Sequence, residues 1–146
     1  MSSALGADLL SVVARLHRLA NQRVPLPLPF AQARLLSTID DQGEARISDL
    51  AALDHCSQPT MTTQVRRLEE AGLVARTSDP QDARAVLIRI TPAGVTALQQ
   101  VRADRGAVID PYLERLSDHD RDDLTKAVDV IRRLIEDATS AHPAAR

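Results

Sequence analysis

Hydroxyl and guanidinium side chains recur at helical spacing in SQPTMTTQVRRLEEAGLVARTSDPQDARAVLIRITPAG, the stretch from Ser57 to Gly94. Each residue turns a helix by about 100°, so placing Met61, Val65 and Leu68 inward sends Pro59, Thr63, Arg66 and Arg67 outward, with Thr60 and Thr62 on the flanks. Ser57 is read as the N-cap, with Pro59 in the first turn where its missing N–H leaves nothing unpaired. That start leaves free N–H groups able to meet a phosphate. Ser57, Gln58, Pro59, Thr60, Thr62 and Thr63 are therefore candidates to reach base edges or phosphates. Arg66 and Arg67 are candidates to bridge to phosphate or guanine. The plain alternative is an exposed face that is merely solvated.

Other chemistry is poorly served. Asp54, His55 and Cys56 are consecutive, so their side chains diverge where a thiol nucleophile and its base must converge. Buried packing is the leading account of Cys56, and a redox role stays open because the thiol lies near a helix N-terminus. His17, His55, His119 and His142 share no metal-ligand spacing, and the acids around His119 read as a solvated helix start. Phosphate-cradling glycine loops and paired catalytic carboxylates are both missing. The sequence therefore predicts no enzyme, no metal and no cofactor.

The elements that must hold the hydroxyl and arginine face are a helix-turn-helix followed by a hairpin. Ile47 to Leu53 is a short striped helix with Ser48 as its expected cap, and Asp54 to Cys56 turn into the helix that begins after Ser57. Gly72 stands at the C-terminal cap position. Val86, Ile88 and Ile90 alternate on one side of a strand, preceded by the turn residues Asp79, Pro80, Gln81 and Asp82. Upstream, Leu9, Val12, Val13, Leu16, Leu19 and Ala20 stripe a first helix. A stiff connector follows with Pro25, Pro27 and Pro29, and then a second helix over Phe30 to Ile39. Downstream, Thr91 caps a long helix to about Leu116 that Pro111 kinks or ends. Ser117 caps a last helix striped by Leu124, Val128, Ile131, Leu134, Ile135 and Ala138, with Asp118 and Asp120 at its positive end. The tail from Ser140 is expected to fray.

Composition bounds this reading. The chain has 146 residues, 44% hydrophobic and 26% charged, as expected of one globular domain. It carries no bilayer-length apolar run, and MSSALGADLL lacks the pattern of an export signal, so a cytoplasmic home away from membranes is expected. A single cysteine agrees with a reducing compartment. Phe30 and Tyr112 are the only benzenoid aromatics, which disfavours stacking on single-stranded bases and leaves duplex binding. The formal charge of −2 is unevenly spread. From Ser57 to Pro92, five arginines face four acids, whereas from Ser117 to Asp137 seven acids face four bases. The acidic end should point away from a polyanion.

The run ISDLAALDHCSQPTMTTQVRRLEEAGLVARTSDPQDARAVLIRITPAG resembles the DNA-binding core of the multiple antibiotic resistance regulator (MarR) family. The resemblance lies in the RLEEAGLV helix exit, the DPQDAR wing tip and the ITPAG entry to the next helix. It implies a mainly α fold with a small β-hairpin wing, in which residues 29–94 form the winged helix-turn-helix and residues 1–28 and 95–146 the helical dimerisation region. It further implies a homodimeric repressor on a pseudo-palindromic double-stranded DNA operator, released by a small aromatic or phenolic effector where one exists. The second helix of the motif would enter the major groove. Arg84 would enter the minor groove, whose negative potential attracts an inserted arginine, with Asp82 orienting it and Arg76 and Arg89 near phosphates. Two departures stand out: His55 where the family usually has Gly, and Thr63 and Gln64 where a basic and an apolar residue are common. Arg15, His17 and Arg18 could line an effector cleft but are read first as a solvated face of the first helix, so no ligand residues are assigned. A dimeric adaptor that uses this scaffold to bind protein and not DNA is the rival class.

Overall fold

The computed structural model describes residues 2–22 and 28–141. Pro25 and Pro27 of the expected connector, and residues 142–146 of the expected frayed tail, lie outside the described residues, while Ser140 and Ala141, where that tail was expected to begin, are still helical. The chain divides into two compact units, residues 1–108 and 109–146.

In the first unit, α1 (Ser2–Gln22) is followed by α2 (Phe30–Gln42), β1 (Glu44–Arg46), α3 (Ile47–Leu53) and α4 (Gln58–Glu70). Then come β2 (Val74–Asp79), β3 (Asp82–Ile90) and α5 (Pro92–Leu113), whose residues after Val108 belong to the second unit. The sheet is antiparallel in the order β1-β3-β2. Its third strand, β1, was not foreseen. Glu-Ala-Arg carries no β-branched or aromatic residue, and the segment becomes a strand only because β3 offers an edge, pairing Ala45 with Ile88 and Arg46 with Leu87.

One core holds the elements from α2 to α5. Leu36 and Ile39 from α2, Leu50 from α3, Met61, Val65 and Leu68 from α4, Ile88 from β3 and Leu98 from α5 are all buried in one cluster. The expected inward stripe of α4 is thus the inward stripe. Each fully buried aliphatic side chain contributes about 1.5–3 kcal/mol relative to exposure.

Several helix boundaries differ from expectation, and α2 runs past Ile39 to Gln42 before Gly43 stops it. Ser48 does not cap α3. The N-cap is Arg46, with extended backbone (ψ 152°) and no side-chain cap bond. Pairing with β3 carries the chain in strand geometry to Arg46, so the helix begins one residue before Ser48. The long helix ends at Leu113 and not near Leu116, two residues past Pro111. Pro111 has no N–H to donate to the preceding turn.

The remaining caps follow the sequence. Pro29 precedes α2 without a side-chain cap bond. Thr91 Oγ1 accepts from the Gly94 N–H at 3.1 Å and donates to the Gly72 carbonyl at 2.6 Å, so one hydroxyl ties the exit of α4 to the start of α5. A Cβ at Gly94 would lie 2.1 Å from the Leu73 carbonyl oxygen, so only glycine fits there. Gly72 closes α4 at φ 74° and His55 takes φ 52° in the tight turn, the left-handed conformation that position demands.

The second unit is dominated by α6 (Asp118–Ala141). Ser117 caps it, accepting from the Asp120 N–H at 3.1 Å, and Asp118 and Asp120 occupy its first turn. None of its described residues is buried.

Candidate nucleic-acid interface

The face built by α4 starts from a well-made cap. Ser57 Oγ accepts from the Thr60 N–H at 3.2 Å and donates to Thr60 Oγ1 at 2.9 Å. Thr63 Oγ1 donates to the Pro59 carbonyl at 3.1 Å, which leaves its lone pairs directed outward as acceptors. Ser57, Gln58, Pro59, Thr60, Thr63, Arg66 and Arg67 are exposed, and Thr62 is half-buried at the flank. Gln64 turns inward and leaves its amide oxygen buried without a partner.

The arginines fall into two groups. Among the described residues, no acid pairs with Arg66, Arg67 or Arg84. Arg76 Nε lies 2.6 Å from Glu69, and Arg89 lies 3.8 Å from Glu44. A paired guanidinium must give up its carboxylate before it can bridge to phosphate, so among these candidate arginines the ones without an acid partner are those on α4 and at the wing tip.

The wing tip has an irregular ladder. Ser78 pairs with Val86, and Asp79 pairs with Asp82, so residues 83–85 bulge from β3 with Arg84 at their centre. Asp82 Oδ1 accepts from the backbone N–H of Arg84 at 3.0 Å. Asp82 therefore shapes the backbone that carries Arg84.

Sequence reasoning missed an ion pair at the wing. Asp79, read only as a turn residue, is 9% exposed and accepts from Arg46 Nη2 at 2.6 Å. Its other oxygen accepts from the Gln81 N–H at 2.9 Å. The Gln81 and Arg46 bonds hold its carboxyl below the usual carboxylate range against the opposing effect of burial. The signal available in the sequence was the Asp-Pro-Gln-Asp turn, in which an aspartate commonly bonds the amide two residues on. Nothing local pointed to Arg46.

Away from this face, a small cleft of about 160 Å³ opens in the first unit between α1, α2 and α5, lined by His17, Phe30, Arg34, Ser37, Arg102 and Arg105 among others. Of Arg15, His17 and Arg18, His17 lines this cleft while remaining exposed. Burial, then the neighbouring Arg105, lowers its pKa, and its ring meets Phe30 edge-on at 5.7 Å between centroids. Asp54 pairs with Arg34 at 2.5 Å and Cys56 packs against the core, so Asp54, His55 and Cys56 do not form a catalytic group.

Comparison with known proteins agrees with this architecture. The MarR family profile matches residues 28–86. An uncharacterised HTH-type transcriptional regulator of Mycobacterium leprae, ML2140, is 30% identical over 135 residues, covering 92% of this chain and 94% of that protein. The crystal structure of the transcriptional regulator Tm0710 from Thermotoga maritima superposes with a TM-score of 0.74 at 23% identity, over 94% of this chain and 98% of that one. A mutant of MarR from E. coli in complex with operator DNA superposes with a TM-score of 0.58 at 23% identity, over 88% and 93%. The helix-turn-helix with its three-stranded wing, and a relative similar over nearly its full length, place this chain in the MarR family of transcriptional regulators.

Proposed function

We propose that the protein is a homodimeric reader of double-stranded DNA that represses by occupying a pseudo-palindromic operator. The observation that carries this is the grouping of the unpaired guanidiniums. Arg66 and Arg67 share an outward face with the hydroxyls of Thr60 and Thr63, and Arg84 stands on a bulge at the wing tip. Hydroxyls and guanidiniums are groups that read base edges in the major groove, and a lone arginine suits a narrow minor groove. The E. coli MarR variant bound to operator DNA supports the same use of the scaffold.

Dimerisation is supported by apolar stripes that the single chain leaves open. Val12, Val13 and Leu16 on α1 are 45–62% exposed, and Leu134 and Ile135 on α6 are more than half exposed. Apolar stripes of this kind are commonly covered by a second copy. Residues 1–28 and 95–146 would then supply the dimer, with residues 29–94 presented to DNA. Two copies of α4 would meet half-sites about 34 Å apart. The arginine-lined cleft beside Phe30 is about the size that holds a single ring and would receive an aromatic or phenolic effector, which acts only if it prefers one dimer geometry.

Selection of bound duplex fragments from a genome by the purified protein, followed by salt titration of the best fragment, tests the proposal. The expected result is an inverted repeat whose affinity falls about a thousandfold between low and physiological salt, as phosphate counterions are released. A folded dimer that enriches no fragment would refute it and favour the adaptor.

A further inference from the structure

Asp79 is the only charged side chain classed as buried among the described residues, and both its oxygens are used. Its partner Arg46 lies on β1 at the entry to α3, while Asp79 ends β2. Strand β3 runs between them, so the ion pair reaches across the central strand and joins the two outer ones. It does so where the β2–β3 ladder loses register, with residues 83–85 unpaired by β2. Beyond Ser78 and Val86, backbone pairing alone leaves the tip on the single Asp79–Asp82 pair.

A nearly buried carboxylate is unfavourable unless its lone pairs are filled, and here a guanidinium and a backbone amide fill them. Removing Arg46 leaves the buried Asp79 carboxylate short of a partner, whereas Arg46 itself is 43% exposed and is solvated when released. The remaining charges that act on Arg46 are those of Asp82 and Asp49.

We infer that Arg46 and Asp79 are a positioning pair, which fixes the wing tip relative to the helix-turn-helix so that Arg84 and α4 meet one duplex together. The inference rests on the DNA-binding reading above. Neither residue need touch DNA: Asp79 is buried and negatively charged, and the Arg46 guanidinium is held by it. The pair acts by preorganisation, removing from binding the ordering of a bulged tip. Loss of it should weaken the contribution of Arg84 and leave that of α4 intact.

The experiment uses the full-length protein, the duplex enriched in the selection, and the variants Asp79→Asn, Arg46→Gln and Arg84→Ala, singly and paired. Asp79→Asn and Arg46→Gln are each expected to weaken binding roughly tenfold and to lower the salt slope by about one, with folded content unchanged. Combined with Arg84→Ala, either should weaken binding no further than Arg84→Ala alone, a non-additivity that general destabilisation would not produce. Unchanged affinity, a gain in affinity on freeing Arg46, or losses that add to that of Arg84→Ala would overturn the inference. Amide exchange in the free protein gives a second readout and covers a variant that folds poorly. Exchange at Gln81 and Arg84 should quicken in Arg46→Gln while core amides hold, and unchanged exchange there would overturn the pair. If the wild type binds no duplex, the functional reading fails by itself and the exchange data still decide whether the pair orders the tip.

Discussion

Helices α4 and α6 carry apolar stripes of the same kind and leave them in opposite states. Met61, Val65 and Leu68 on α4 are at most 1% exposed, whereas Leu134 and Ile135 on α6 are 54% and 57% exposed. The α4 stripe meets α2, α3, the sheet and α5 within its own unit, so it became core. Among the described residues, none of the α6 stripe is buried. Helical periodicity states that a face must be covered. It does not state which chain covers it.

Breaking the buried side of this comparison should have the largest effect. Leu36→Ala in the winged-helix core removes a fully buried side chain and should cost about 2–5 kcal/mol, read as a lower denaturation midpoint at every protein concentration. A change near 0.5 kcal/mol would mean that this core is looser than its burial implies. On the open side, Ile135→Asp should leave the winged helix folded but weaken self-association by about 2 kcal/mol, roughly thirtyfold, in sedimentation equilibrium. Retention of the dimer would show that α6 does not build the interface.

A finer version of the contrast lies among the arginines. Arg84→Ala should reduce operator affinity by about 1–3 kcal/mol with little change in folding. Arg89→Ala, which removes a side chain already facing Glu44, should change affinity by less than about 1 kcal/mol. Equal losses would erase the distinction between free and paired guanidiniums, and a silent Arg84→Ala would favour the adaptor.

The smallest effect is confined to acid. Asp79 has a pKa lowered from 3.8 by the Gln81 amide and Arg46, so the folded state holds the ionised form more firmly than the unfolded chain does. The resulting stability is present above the unfolded value and is lost as pH falls through the lower folded value. A stability gap between wild type and Asp79→Asn should therefore narrow below about pH 4. A gap that stays constant into acid would mean the ion pair is not its source.

Much of the local structure around the candidate site was legible because its signals are local. The Ser57 cap, the inward triplet of α4, the Gly72 stop and the Asp-Pro-Gln-Asp turn each depend on residues a few positions apart. What escaped was long-range. Strand β1 exists through β3, roughly forty residues away along the chain. The true start of α3 follows from that pairing, and the Arg46–Asp79 contact joins positions 33 residues apart. His17 entered the cleft because α5 brings Arg105 beside it.

The sequence by itself determined the order of helices and wing, the helix faces and most caps, since periodicity and capping act over one or two turns. Only the tertiary structure decided which guanidiniums are spent on neighbouring acids, which stripe became core, and that the wing tip is bound to the helix-turn-helix by a buried carboxylate. Those outcomes depend on distances between strands and helices that no local pattern encodes, because packing chooses among many pairings that the same pattern permits.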